Sequence, residues 1–187
     1  VHVLFDGEGH AVLAPAQDHK RLEEGDRGPN TGGMGAYSPV PQLSEQVWGR
    51  IERDVIAPTL AGLQKDGVDF RGVLFIGLML KDGAPHVLEY NVRFGDPETE
   101  VLLPRLDGSV LPLLYATAAG KLGHEAVRWA HPAALAVVLA SAGYPVGKSP
   151  PAVVTGLDQA SQHAQVFHAG TAWGESGADG DQPIMAT

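Results

Sequence analysis

Apolar and polar positions alternate along this chain in a way that separates extended from helical stretches. Residues 1–5 and 11–16 are apolar runs on either side of Asp6-Gly7-Glu8-Gly9, and they predict a β-hairpin. Residues 70–80 and 85–92 repeat the arrangement around Lys81-Asp82-Gly83-Ala84. Between the hairpins, Val47, Ile51, Val55, Ile56, Leu60 and Leu63 recur at three- and four-residue spacing. That places them on one helical face and predicts an amphipathic helix over 45–65. Ser44 is positioned to cap it. Pro58 lacks an N–H and crowds the preceding turn, so it should kink or split the helix.

Further helices are predicted over 98–106 and 109–120. The run of Ala, Val and Leu at 133–142 predicts a buried strand that ends at Gly143-Tyr144-Pro145. A Pro/Gly-rich connector follows over 143–151, then a last strand at 165–171 and a Gly/Asp-rich turn or mobile loop at 174–182. The polar stretch 17–41 is too long for an ordinary connector, and such loops are usually functional or disordered. The expected class is α+β: an antiparallel sheet with flanking helices over 1–128, then part of a small α/β domain over 129–187. Residue 1 already sits in a strand-like run, and 183–187 stops without a helix or cap. The chain therefore reads as an internal piece of a larger protein.

Composition narrows the function classes. With 187 residues and 44% hydrophobic content the chain can build a packed core. A net charge of −9, with no basic stripe, argues against a nucleic-acid partner. The absence of cysteine excludes disulfides and thiol catalysis and is compatible with a reducing compartment. No apolar run approaches the length of a membrane span, and no signal peptide is recognisable. The sequence expectation is a cytoplasmic protein without membrane partners.

The densest cluster of candidate chemistry is VLEYNVRFGDPETE, residues 87–100. Glu89 and Asn91 are two apart, so on a strand both side chains leave the same face, and Arg93 continues it. Gly95, Asp96 and Pro97 break the strand before Glu98 and Glu100. A carboxylate, a carboxamide oxygen and a guanidinium in a row suit a hard cation beside a phosphate. Magnesium is usually shared between one or two protein groups and substrate phosphates, and Arg offers phosphate a planar fork. The spacing alone also fits, as the lesser alternative, a polar edge strand with a surface salt bridge.

Two upstream segments bear on this. In GPNTGGMGAYSP, residues 28–39, Gly32, Gly33 and Gly35 let the backbone turn its N–H groups inward as an anion nest, or simply form a flexible loop. It matches neither the P-loop nor the dinucleotide fingerprint. Gln17-Asp18-His19-Lys20-Arg21 is either a solvated turn or a group that faces a phosphate through Lys20 or Arg21. His163 and His168 have no metal-ligand spacing. Trp48, Trp129 and Trp173 read as packing groups, and Met79 reads by default as a core residue. No Ser-His-Asp order or nucleophile elbow is present.

These three motifs, in this order, resemble the phosphoribosylamine–glycine ligases, ATP-grasp enzymes of purine synthesis, with RFGDPE as the most specific piece. QVFHAGT at 165–171 is similar to that family's C-terminal domain. The resemblance implies that ATP phosphorylates glycine to glycyl phosphate, and that the amine of 5-phosphoribosylamine attacks it to give an amide, ADP and phosphate. It implies magnesium or manganese on Glu89 and Asn91, with Arg93 stabilising the transferring phosphoryl group. Arg21 and Asn30 would touch ATP, and Met79 would pack on adenine. Asp18, His19, Lys20, Gly32, Gly33 and Gly35 would line the glycine and phosphoribosylamine side. Asp96 would hold an amine or orient Arg93.

The departure from the wider ATP-grasp pattern is Gly77, where many such enzymes place a second acid twelve positions before the strand glutamate. That leaves the number of metal ions open. The N-terminal domain and ATP-clasping lid of the family have no counterpart here, and the last strand and helix of its C-terminal domain also find no match. The isolated chain is therefore expected to have little or no ligase activity, and its parent is expected to be an active monomer. Another ATP-grasp carboxylate–amine ligase, a non-catalytic nucleotide-binding remnant, and a parent fused to later purine-pathway domains are the alternatives.

Overall fold

The structure, a computed structural model, describes residues 1–123, 127–147, 149–175 and 183–186. Its contacts divide the chain into two units, Val1–Val138 and Leu139–Thr187. The first unit contains β1 (His2–Phe5), β2 (His10–Val12), β3 (Gln17–Asp18), β4 (Arg21–Glu23), β5 (Arg27–Asn30), β6 (Gly35–Ser38), β7 (Gly72–Lys81), β8 (Ala84–Asn91) and β9 (Ala134–Val137).

Both predicted hairpins form, and they join in one antiparallel sheet of order β2-β1-β7-β8. The second hairpin closes through Asp82 and Gly83, both left-handed at φ 52° and 71°, as a tight Asp-Gly turn requires. Alternation along β1 sends Val3 and Phe5 to one face, where they pack with Ile51, Val55, Ile56, Leu60, Leu74 and Ile76. Leu4 goes to the other face, with Ala11, Leu13, Leu102 and Leu122. Covered on both sides, β1 is buried at all four positions. Ile76, fully buried, contributes roughly 1.5–3 kcal/mol by leaving water.

The predicted helix over 45–65 runs as α1 (Glu45–Ile51), a π-helical stretch (Glu52–Ile56) and α2 (Ala57–Lys65). Ser44 accepts from the Val47 N–H at 3.3 Å, as a cap should. The effect of Pro58 is a widened turn, with the Ala57 N–H reaching Glu52 O, just before a ring that cannot join a tighter ladder. The helix predicted over 98–106 is shorter and changes character. It is α3 (Thr99–Leu102) followed by a 3-10 turn at Leu103–Arg105 that contains Pro104. Next comes α4 (Leu111–Ala118).

Two expectations are corrected. The stretch 17–41 is not an irregular loop: β4 and β5 form a hairpin within it, and β3 and β6 join a second antiparallel sheet of order β3-β6-β9. β3, β4 and β5 are largely exposed, and β6, though mostly buried, is the small-residue run Gly-Ala-Tyr-Ser, so apolar periodicity could not reveal them. The strand expected over 133–142 is only Ala134–Val137, and it is not buried; Leu135 and Val137 are 75% and 72% exposed. A continuous apolar run implied cover on both faces, whereas β9 is an edge strand. Its pairing with β6 keeps it in the first unit, which runs to Val138.

The second unit has β10 (Ala152–Val153), α5 (Leu157–Ser161), β11 (Thr171–Trp173) and β12 (Ile184–Ala186), in an antiparallel sheet of order β10-β12-β11. The strand predicted over 165–171 thus begins only at Thr171. Trp173 is 70% exposed rather than packed. Residue 148 of the predicted connector and residues 176–182 of the predicted loop lie outside the described residues. Among the described residues no helix is long and apolar enough to cross a membrane.

Candidate active site

The open end of the β7-β8 ribbon carries the site. Phe75 pairs with Asn91 and Gly77 with Glu89, so Glu89 and Asn91 share the face that also holds Phe75, Gly77 and Met79. A bulge follows at once, between Gly77 and Leu78, where Leu88 is the extra residue on β8. Bulges re-aim neighbouring side chains and are common beside active sites. Gly77 sits against this device: a Cβ there would come 3.0 Å from Glu89 Cγ. The position that carries a second acid in many ATP-grasp strands is here the space into which Glu89 leans. The other face of the ribbon is tied down separately, by a 2.9 Å bond between Tyr90 Oη and Thr59 Oγ1.

The two upstream motifs are halves of one ladder. His19 N–H donates to Gly35 O at 2.9 Å, Met34 N–H to His19 O at 2.7 Å, and Thr31 N–H to Lys20 O at 2.7 Å. Gly33 N–H donates to Thr31 Oγ1 at 3.0 Å. The N–H groups of Gly33 and Met34 are therefore already engaged, and the segment is a braced turn rather than an open anion nest. Gly35 has a different task. Its missing Cβ admits Ala136 O, which a side chain would meet at 2.6 Å.

Gly33 connects this ladder to the RFGDPE segment. It has φ 141°, and a Cβ there would run into Pro97 Cδ and lie 3.6 Å from Asp96 O. Lys20 Nζ sits 2.6 Å from Asp18 Oδ2. Burial works to lower the Lys20 pKa, but the Asp18 carboxylate outweighs it, helped by Glu98 and Glu89, and holds the ammonium above its ordinary value. The glycine segment thus seats on the RFGDPE segment, and the Asp18–Lys20 pair lies within electrostatic reach of Glu98 and Glu89.

Glu98 was named in the sequence cluster without being given a role. It is 4% exposed, and burial, with Asp18 adding to it, holds its carboxyl above the ordinary range against the opposing pull of its own backbone N–H and Lys20. Its place inside GDPE was the available signal. Other expectations land differently. Met79 is 55% exposed and so is not a core residue, although it lies on the face of Glu89 two positions beyond Gly77. Arg21 donates to Gly28 O at 2.7 Å and pairs with Asn30 across the β4-β5 hairpin, a separate two-stranded sheet. Arg93 is exposed and donates to Phe94 O at 2.8 Å, and Asp96, three residues on, is also exposed. His168 Nδ1 lies 3.3 Å from Thr171 Oγ1 in the second unit.

The donors fit a hard cation that is completed by substrate oxygens. Among the described residues no group of three or more His, Asp or Glu side chains could hold a metal alone. Glu89 offers one carboxylate, and the Asn91 carboxamide has a buried Nδ2 with no partner. One carboxylate and one amide oxygen are what magnesium leaves to the protein when phosphates supply the rest.

An antiparallel sheet that presents Glu-x-Asn-x-Arg beside a braced glycine turn is the arrangement of an ATP-grasp catalytic subdomain. Residues 1–99 match the family described as phosphoribosylglycinamide synthetase, ATP-grasp (A) domain, and the chain belongs to that family. It is 52% identical over 169 residues to the phosphoribosylamine–glycine ligase of Agrobacterium fabrum, covering 90% of this chain and 40% of that relative. It is 43% identical over 189 residues to the chloroplastic phosphoribosylamine–glycine ligase of Arabidopsis thaliana, covering 98% of this chain and 35% of the relative. The crystal structure of phosphoribosylamine–glycine ligase from Thermotoga maritima superposes with a TM-score of 0.80 at 35% identity, over 99% of this chain and 44% of that one. The chain thus spans about two-fifths of the length of the relatives it matches.

Proposed function

We propose that these residues form the metal- and phosphate-binding part of a ligase that joins glycine to 5-phosphoribosylamine at the expense of ATP. The observation that carries the reading is that Glu89 and Asn91 share one strand face, with the Asp18–Lys20 pair within electrostatic reach of Glu89 and Gly33 seated on Pro97. The names of the relatives supply the substrates. Glu89 and Asn91 hold a divalent cation, magnesium or manganese, whose chemistry is to neutralise charge on the ATP phosphates. Arg93 places its planar fork on the phosphoryl group as it moves to the glycine carboxylate and forms glycyl phosphate. The amine of phosphoribosylamine then attacks the acyl carbon. The C–O bond to phosphate breaks, an amide forms, and phosphate and the amine proton leave.

Arg21 and Asn30 contact the nucleotide, and exposed Met79 offers a polarisable surface to adenine. Asp18, His19, Lys20, Gly32, Gly33 and Gly35 face glycine and phosphoribosylamine, and Asp96 holds an amine or orients Arg93. The protein works as a cytoplasmic monomer on small molecules, without nucleic-acid or membrane partners. The test is ADP release by a full-length ligase that carries these 187 residues, with glycine or bicarbonate as the carboxylate. Release that depends on glycine and phosphoribosylamine is expected. Release with bicarbonate instead would make the protein another ATP-grasp ligase, and ATP binding without turnover would make it a non-catalytic module.

A further inference from the structure

His2 is a polar residue in an aromatic slot. It pairs across the sheet with Phe75, and their rings stack at 4.4 Å between centroids and 2° between planes; Phe94 lies at 6.0 Å. At 1% exposure, the imidazole occupies a place that packing alone would fill with a hydrocarbon ring. One bond accounts for the nitrogen: Gly95 N–H donates to His2 Nε2 at 2.9 Å, buried, across 93 residues of sequence.

We infer that His2 is a positioning residue for the turn from Arg93 to Asp96, fixing it through the bond from Gly95 to Nε2. Gly95 lies between Arg93, proposed to act on the transferring phosphoryl group, and Asp96, proposed to hold an amine or orient Arg93. Its backbone fits closely, since a Cβ there would meet His2 Nε2 at 3.0 Å and Glu98 Oε2 closer still. The stacked partner, Phe75, is the cross-strand neighbour of Asn91, so one ring braces both the metal strand and the turn that follows it. To accept at Nε2 the ring must be neutral, with its proton on Nδ1, and Nδ1 is buried without a partner. Burial first, then the charges of the N-terminal ammonium and of Arg93, lower the His2 pKa to about 3, which favours the neutral acceptor form.

Two substitutions separate the acceptor from the ring. His2→Phe keeps the stack and removes the acceptor, whereas His2→Gln loses the stack but reaches Gly95 with a carbonyl oxygen. Gly95 amide exchange, measured by NMR on this chain, should be about tenfold faster in His2→Phe and slowed again in His2→Gln. The turnover arm rests on the proposed function. In a full-length ligase carrying the chain, kcat should fall about tenfold in His2→Phe with KM for ATP unchanged, and recover partly in His2→Gln. Gly95 exchange or kcat unaltered in His2→Phe, or equal losses in both variants, would overturn the assignment. If the unsubstituted protein made no glycine-dependent ADP, the proposed function would fail, while Gly95 exchange would still decide the role of His2.

Discussion

Asp6 offers a quantitative test of how the sheet beneath the site is held. Its side chain is 5% exposed. Oδ1 accepts from the N–H groups of Glu8 at 3.0 Å and Gly9 at 2.7 Å, and Oδ2 accepts from Leu122 N–H at 2.7 Å. One carboxylate therefore closes the first hairpin and anchors the segment after α4. Asp6→Asn keeps Oδ1 but turns an NH2 group toward the Leu122 N–H. An orphaned buried donor costs about 1–3 kcal/mol, and bonds to a charged acceptor contribute roughly 1.5–3 kcal/mol against about 1 for neutral ones. The expected loss is thus about 3–5 kcal/mol, a fall in Tm on the order of 10 °C.

The pH dependence has a definite sign. Burial opposes the charged form of Asp6, but the N–H bonds from Glu8, Leu122 and Gly9, with the charge of Arg71, together hold the carboxyl below its ordinary value. A depressed carboxyl contributes stability that is complete above the ordinary value near 4 and is lost as pH falls through the folded value. Urea unfolding of the chain and of Asp6→Asn at pH 7, and at intervals below pH 4, should show a gap that narrows with acid. Equal stability at pH 7, or a gap that stays constant down to the acid transition, would refute the reasoning.

Other outcomes follow from single contacts. Gly33→Ala puts a side chain at φ 141° and into Pro97. Strain of about 1–3 kcal/mol should separate the glycine turn from the RFGDPE segment, which NMR would show as altered contacts between residues 33 and 97. Gly77→Ala presses on Glu89 Cγ from 3.0 Å and should weaken manganese binding several-fold by calorimetry, with Tm little changed. Burial raises the Glu98 carboxyl, so its ionisation opposes folding increasingly as pH climbs through the raised value. Glu98→Gln should therefore raise stability at pH 7 more than at pH 4, and unfolding curves at the two pH values check this.

Much of this was legible in the sequence, for identifiable reasons. Both hairpins showed because apolar runs flanked Asp-Gly-type turns, and the helix over 45–65 showed because its apolar positions kept one face. Glu89 and Asn91 shared a face as a two-residue spacing requires. What stayed hidden depends on pairing between distant segments. The strands within 17–41 lack an apolar face of their own, so only their ladder with β9 and with each other defines them. β9 looked doubly buried because composition does not say whether a strand lies at an edge. His2, 93 residues from Gly95, and the Gly77 cradle for Glu89 exist only once β1, β7 and β8 are aligned.

The central claim is that Glu89 and Asn91 form the seat of a cation shared with ATP. Paramagnetic broadening of backbone amide signals by manganese–ATP tests it directly. The broadening should centre on Gly77, Glu89 and Asn91, extend to Lys20, and largely vanish in Glu89→Gln. Broadening centred elsewhere, or undiminished in Glu89→Gln, would contradict the account.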